Sequence, residues 1–202
     1  QKAPLIVRTR GHRGHRLEGI WHSGSPLGGM ISFLRGIFIL TPRNMTQAAG
    51  FYNSLLDLDQ PAVVIEPLNG YRTKEELPIN YGEFKTPIGE IEVLREGSDI
   101  TLVSYGSTLN IVISVAEEIE KHGISCEVID VQSLLPFDIK KEISKSIIKT
   151  NRLLIIDEDM PGGGSSYILQ ELLDNQDIYR HLDSEPSLLT AKDHRPPYGS
   201  DG

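Results

Sequence analysis

Short apolar runs rich in β-branched residues recur along the chain at 4–9 (PLIVRT), 36–41 (GIFILT), 61–66 (PAVVIE), 99–105 (DITLVSY), 125–131 (SCEVIDV), 152–159 (RLLIIDED) and 187–193 (SLLTAKD). They are continuous rather than alternating, which is the pattern of strands covered on both faces. Helix-period segments lie between them. Ile111, Val115 and Ile119 fall at i, i+4 and i+8 with Val112 and Ala116 beside them, giving one apolar stripe. Ile139, Ile143 and Ile147 repeat that spacing after Asp138, a residue type suited to cap a helix start. The stretches 44–58 and 165–175 read as two more helices. Strand and helix in alternation predict an α/β fold, a mostly parallel sheet with helices on both faces.

The rhythm breaks between Pro67 and about Gly97, where Pro67, Pro78 and Pro87 and several glycines interrupt any helical stripe. This stretch is expected to be a linker between two domains, with room for a short hairpin. About three strands precede it, too few to close a core alone, and the chain opens on QKAPLIV with no initiator methionine. A piece of a longer protein is the expectation.

The 202 residues carry a net charge of −8, which disfavours nonspecific binding to nucleic acid or to an anionic membrane. The charge is uneven. Lys2, Arg8, Arg10, Arg13 and Arg16 place +5 in residues 1–16 with no acid, leaving −13 elsewhere. Such a field either draws an anionic ligand or belongs to a solvated basic loop. No apolar run reaches the ~20 residues needed to span a bilayer, and no signal-peptide pattern opens the chain. The single Cys126, set among apolar neighbours, fits a buried thiol in a reducing compartment, cytoplasmic or organelle matrix.

Neither a Walker A nor a G-x-G-x-x-G pattern is present. The glycines of YGSTLN (105–110) and MPGGGSSY (160–167) follow strands and lead into helices, where α/β proteins place ligands and also ordinary tight turns. Asp157, Glu158 and Asp159 run into the second of these loops, as a solvated corner or as a face for a cation or basic partner. His12 and His15 lack a third ligand, so no metal site is expected from GHRGHR. His22, in WHSGS before an apolar run, is either filler or a proton carrier titrating near neutrality.

Taken together, HSGSPLGGMISFLRGIFILTPRN (22–44), PAVVIEP (61–67), Tyr71 with Arg72, REGSDITLVSYGS (95–107), SCEVIDVQSLLPFD (125–138), SIIKTNRLLIIDED (146–159) and the glycines after it resemble a known family in order. It is the second half of the β-type subunit of the 2-oxo acid dehydrogenase decarboxylase components, the thiamine-diphosphate enzymes of the pyruvate and branched-chain complexes. The branched-chain type is the most similar. The resemblance implies the last part of a pyrimidine-binding domain at 1–67, a linker at 68–97 and a transketolase-type C-terminal domain at 98–202. It implies that His22 serves as proton donor or base when the acyl group passes to lipoamide, with Ser23, Arg13 and Arg16 supporting the loop or an acidic substrate. Gly24 departs from the glutamine usual in the family.

Relatives also hold a potassium ion beside the turn before the PAVVIEP strand, but Leu58 and Gln60 stand where an acid and an asparagine are usual, and leucine cannot ligate a hard cation. That ion is not expected. The family's magnesium and thiamine diphosphate are held mainly by segments outside this sequence, so none is expected on this chain by itself. Implied partners are an α-type half or subunit, a homodimer or heterotetramer, and a lipoyl acyltransferase. Two rival readings are a dimerisation module that offers Asp157, Glu158 and Asp159 to a basic docking domain of the acyltransferase, and another thiamine enzyme of the transketolase kind.

Overall fold

The computed structural model describes residues 3–10 and 25–193. Two sheets form. The first has the order β1 (Ile6–Arg10), β3 (Ala62–Glu66), β2 (Phe38–Leu40) and β7 (Ser133–Leu135). Its first three strands are parallel and β7 runs antiparallel to β2. The second has the order β4 (Glu92–Arg95), β6 (Cys126–Asp130), β5 (Ile100–Ser104), β8 (Leu153–Ile156) and β9 (Ser187–Leu189), all parallel except β4. Every apolar run read as a strand forms one. The α/β expectation holds, with mostly parallel sheets and helices against them.

Period-two alternation within the buried strands sorts their side chains into three apolar layers. Leu40, Ala62 and Val64 meet Phe51 and Leu55 of α2 (Met45–Leu56) on the outer face of the first sheet. Leu102, Cys126 and Val128 meet Val112 and Ala116 of α3 (Leu109–Glu120) on the outer face of the second. Between them, Ile39, Val63 and Ile65 of the first sheet share one core with Val103, Ile129 and Ile155 of the second. That core is completed by α1 (Leu27–Phe33), α4 (Glu142–Thr150) and α5 (Gly164–Gln176). Strand β7, which follows a second-sheet strand yet pairs in the first sheet, fixes the two sheets to each other.

Three local features differ from the sequence reading. On α3 the buried residues are Leu109, Val112 and Ala116, whereas Ile111 and Val115 are 43% and 45% exposed. The helix carries two apolar stripes, and the smaller side chains of the buried one allow close approach to the sheet. At α4, Lys141 occupies the cap position in the left-handed region, while the Asp138 carboxylate reaches forward to accept from the N–H groups of Glu142 and Ile143, both at 2.9 Å. Ile139 stays exposed and outside the helix. Finally, β4 lies within the stretch expected to be linker and forms no hairpin, pairing antiparallel with β6 instead. Upstream of it the crossing segment is fastened to α2, because the Glu75 carboxylate accepts from the N–H groups of Met45 and Thr46 and from the Thr46 hydroxyl. Among the described residues, no helix is long and apolar enough to cross a membrane.

Candidate functional site

The carboxyl ends of the parallel strands converge on a narrow crevice of about 20 Å³ between the sheets. Thr41 and Pro42 after β2, Glu66 at the end of β3, Tyr105 to Ser107 after β5 and Glu158 after β8 line it, with Leu27 at the start of α1. Parallel sheets collect ligand sites at this edge because loops there are free to vary while the strands hold them rigidly. Arg10, the last residue of β1, is in register with Glu66. Arg10 and Leu27, which flank the stretch 11–24, both stand at this edge. His22, Ser23, Arg13 and Arg16 themselves, with His12 and His15, lie outside the described residues.

Glu66 ends the fully buried strand β3 and is only 1% exposed. A buried carboxylate needs compensation, and four groups give it. Arg8 donates from Nε to Oε1 at 3.0 Å and from Nη2 to Oε2 at 3.1 Å, a bidentate pair across neighbouring strands. The phenol groups of Tyr52 and Tyr71 donate to the same two oxygens, Tyr52 to Oε1 and Tyr71 to Oε2. The Arg8 guanidinium also lies over the Tyr52 ring, 5.5 Å from its centre. Burial first, then the neighbouring Glu66 charge, pushes the Tyr52 phenol well above its ordinary range, so it remains a donor.

At the second sheet's edge, Asp157 is 5% exposed and faces inward. Its Oδ2 accepts from the Tyr105 hydroxyl at 2.8 Å and from the Ser165 N–H at 3.0 Å, and its Oδ1 accepts from the Asp159 N–H at 3.0 Å. Burial, then the Asp157 charge, drives the Tyr105 phenol well up. The glycines of PGGGSS have a packing cause. A side chain at Gly164 would meet the Tyr105 hydroxyl at 2.6 Å, and one at Gly28 would meet the Gly162 carbonyl oxygen at 2.7 Å. The loop is thus a close contact between α1, α5 and β5.

The start of α5 already has a carboxylate against it, which does not fit a diphosphate cradle. Among the described residues, no group of three His, Cys, Asp or Glu side chains could hold a metal ion. The described residues at this edge therefore do not fit a diphosphate with its magnesium, and no step is assigned through one. Asp157 also leaves the set of residues expected on a docking face, because its oxygens are buried and engaged. Glu158 and Asp159 are partly exposed. The turn before β3, where Leu58 and Gln60 stand, is closed by the Gln60 amide donating to the Gly36 carbonyl.

A second buried acid was not singled out from the sequence. Asp130, at the carboxyl end of β6, is 0% exposed. It accepts from Arg43 Nη1 at 2.8 Å, from the Gln47 amide at 3.1 Å and from the Gln132 N–H at 2.9 Å. Arg43 also pairs with Glu92 at 2.6 Å. Burial outweighs these favourable contacts and lifts the Asp130 carboxyl to about 6. The only sequence signal was an acid closing a strand whose preceding residues, Val128 and Ile129, are apolar.

Comparison with known proteins places this geometry in context. Residues 89–201 match the family model described as transketolase, C-terminal domain. The chain is 35% identical over 198 residues to a pyruvate dehydrogenase E1 component subunit beta from Chlorokybus atmophyticus, covering 98% of this chain and 57% of that protein. It is 39% identical over 155 residues to the mitochondrial 2-oxoisovalerate dehydrogenase subunit beta 2 of Arabidopsis thaliana, covering 76% of this chain and 41% of that protein. A third relative is the acetoin:2,6-dichlorophenolindophenol oxidoreductase subunit beta of Bacillus subtilis, 34% identical over 160 residues, with 79% of this chain and 45% of that protein covered. The chain thus spans about half the length of these relatives. Among solved structures, a split-gene transketolase described as an inactive β4 tetramer superposes with a TM-score of 0.69 at 19% identity, over 93% of this chain and 56% of that one. That likeness shows the fold.

Proposed function

The chain belongs to the transketolase C-terminal domain family, and from that premise we propose that it is the β-type part of a thiamine-diphosphate-dependent 2-oxo acid dehydrogenase, of the branched-chain type. The complete enzyme decarboxylates a 2-oxo acid and passes the acyl group to lipoyl groups of an acyltransferase partner. An α-type half, fused or separate, completes a heterotetramer or its equivalent, in a reducing compartment of the cytoplasm or an organelle matrix. Thiamine diphosphate with magnesium supplies the carbanion chemistry and is held by segments other than those described. In this reading His22 moves the proton during acyl transfer, Ser23, Arg13 and Arg16 support its loop, and Glu158 and Asp159 face a basic docking domain of the acyltransferase.

One observation carries the reading. Arg10 and Leu27, the described residues on either side of the stretch that contains His22, stand at the carboxyl edge where the crevice lies. In this reading the proton-carrying group borne between them serves a ligand bound at the strand ends. The three β-subunit relatives, whose names refer to pyruvate, 2-oxoisovalerate and acetoin, support the enzyme class. The test is co-expression with an α-type subunit, followed by lipoamide-dependent turnover of 3-methyl-2-oxobutanoate, pyruvate and acetoin. The expected result is turnover highest with 3-methyl-2-oxobutanoate. Turnover of sugar phosphates with none of these three would replace the reading by a transketolase-like one.

A second reading, in which the chain is chiefly an assembly module, is favoured by the β4 assembly of its structural neighbour. Sedimentation of the 202-residue chain tests it. A dimer or tetramer at micromolar concentration supports that role, and a monomer that gains no partner on addition of the acyltransferase docking domain contradicts it.

A further inference from the structure

The ion pair between Arg8 and Glu66 is lopsided. Glu66 is 1% exposed, whereas the Arg8 side chain is 62% exposed. Here the carboxylate is saturated, by two N–H groups of Arg8 and the hydroxyls of Tyr52 and Tyr71. A guanidinium has five N–H groups in a fixed plane, and those not engaged by Glu66 and Tyr52 are left for another acceptor. Arg8 also lines an open cleft of about 370 Å³ with Thr9, Arg10, Glu66 and Tyr71. Arg8, Arg10 and Tyr71 line this cleft, and its one acid, Glu66, is saturated by the donors already on it. The cleft also sits at the carboxyl ends of β1 and β3, the edge at which a parallel sheet presents ligands.

We propose that the outer edge of the Arg8 guanidinium, held in place by Glu66 and backed by Tyr52, is an oxyanion-binding site that takes the carboxylate or phosphate of a small ligand. Glu66 and the Tyr52 ring fix the guanidinium plane before the ligand arrives, so little side-chain freedom is lost on binding. Arg10 lines the same cleft. The site needs no thiamine cofactor and stands whether or not the dehydrogenase reading holds.

The test is a titration of the 202-residue chain at low ionic strength, with inorganic phosphate and with 2-oxobutyrate in separate arms, followed by the 15N–1H resonance of Arg8 Nε and by calorimetry. Saturable binding of at least one of them is expected. Saturation by phosphate alone assigns the site to phosphate esters, and saturation by 2-oxobutyrate alone assigns it to carboxylates. Arg8→Lys keeps the charge opposite Glu66 but loses the fork, and should weaken binding by about tenfold or more, the scale of one charge-assisted hydrogen bond. The double variant Arg8→Gln with Glu66→Gln removes the charge without leaving an unpaired buried carboxylate, and should abolish the saturable signal. Absence of saturation in the wild type, or undiminished binding in both variants with native circular dichroism, would overturn the proposal. If the double variant does not fold, the Arg8→Lys result decides.

Discussion

Glu66 and Asp157 occupy equivalent places, each an acid at the carboxyl edge of a parallel sheet, and each is almost wholly buried. Their donors differ. Asp157 is held from within, by the Tyr105 hydroxyl and by the backbone of the loop and helix that follow it. Glu66 is held largely from outside, by the exposed Arg8 and by two tyrosines, one of them 49% exposed. The first arrangement turns an acid into a structural post for α5. The second uses the same chemistry to aim a guanidinium at a cleft. A buried carboxylate at a strand end is therefore not a site in itself, and what matters is whether its partners look inward or outward.

Removing each acid separates the two cases. Asp157→Ala strands a fully buried phenol and two backbone donors, and should lower the unfolding free energy by about 3–4 kcal/mol in urea titrations. Glu66→Ala leaves donors that water can reach in part, and about 2 kcal/mol is expected. A larger loss for Glu66 than for Asp157 would break the contrast.

Asp130 adds a third acid, this time between the sheets, and its test is pH. Its carboxyl titrates near 6 in the fold against an ordinary value of 3.8. A carboxyl raised by folding contributes stability that is whole below about 3.8 and is lost as pH rises through about 6. Relative to Asp130→Asn, the wild type should therefore gain stability as pH falls from 7 to 4.5, measured by urea midpoints across that range. A flat difference would mean that Arg43, Gln47 and Gln132 offset the burial fully. The smallest effect belongs to Val115→Gln on the outward stripe of α3, which should change stability by no more than about 0.5 kcal/mol. A loss near that of a core truncation would put the exposed stripe against a partner.

What could be read along the sequence divides by range. Strands came through because short runs rich in β-branched apolar residues, as in Ala62–Glu66 and Cys126–Asp130, have few alternatives at that length. The face of α3 came through in part, since Val112, Ala116 and Ile119 of the expected stripe pack on the sheet while Ile111 and Val115 face outward, and only the sheet decides between them. The strand Glu92–Arg95 was obscured by its charged ends and its edge position, and Ser133–Leu135 by pairing with a strand more than ninety residues earlier. The site followed the same rule. The glycine loop at 160–167 and the acids before it were visible, but the inward turn of Asp157 depends on Tyr105, fifty-two residues away. Arg43 and Asp130 are eighty-seven apart, and nothing local marks them as partners.

The central claim is that this chain brings a working imidazole to the crevice of a 2-oxo acid dehydrogenase. The most direct measurement compares His22→Ala with wild type in the assembled enzyme, timing decarboxylation and acyl transfer to lipoamide separately. The account predicts acyl transfer slowed by about a hundredfold or more, the scale of one general acid–base group, with decarboxylation much less affected. Equal rates for both enzymes at the acyl-transfer step would contradict it.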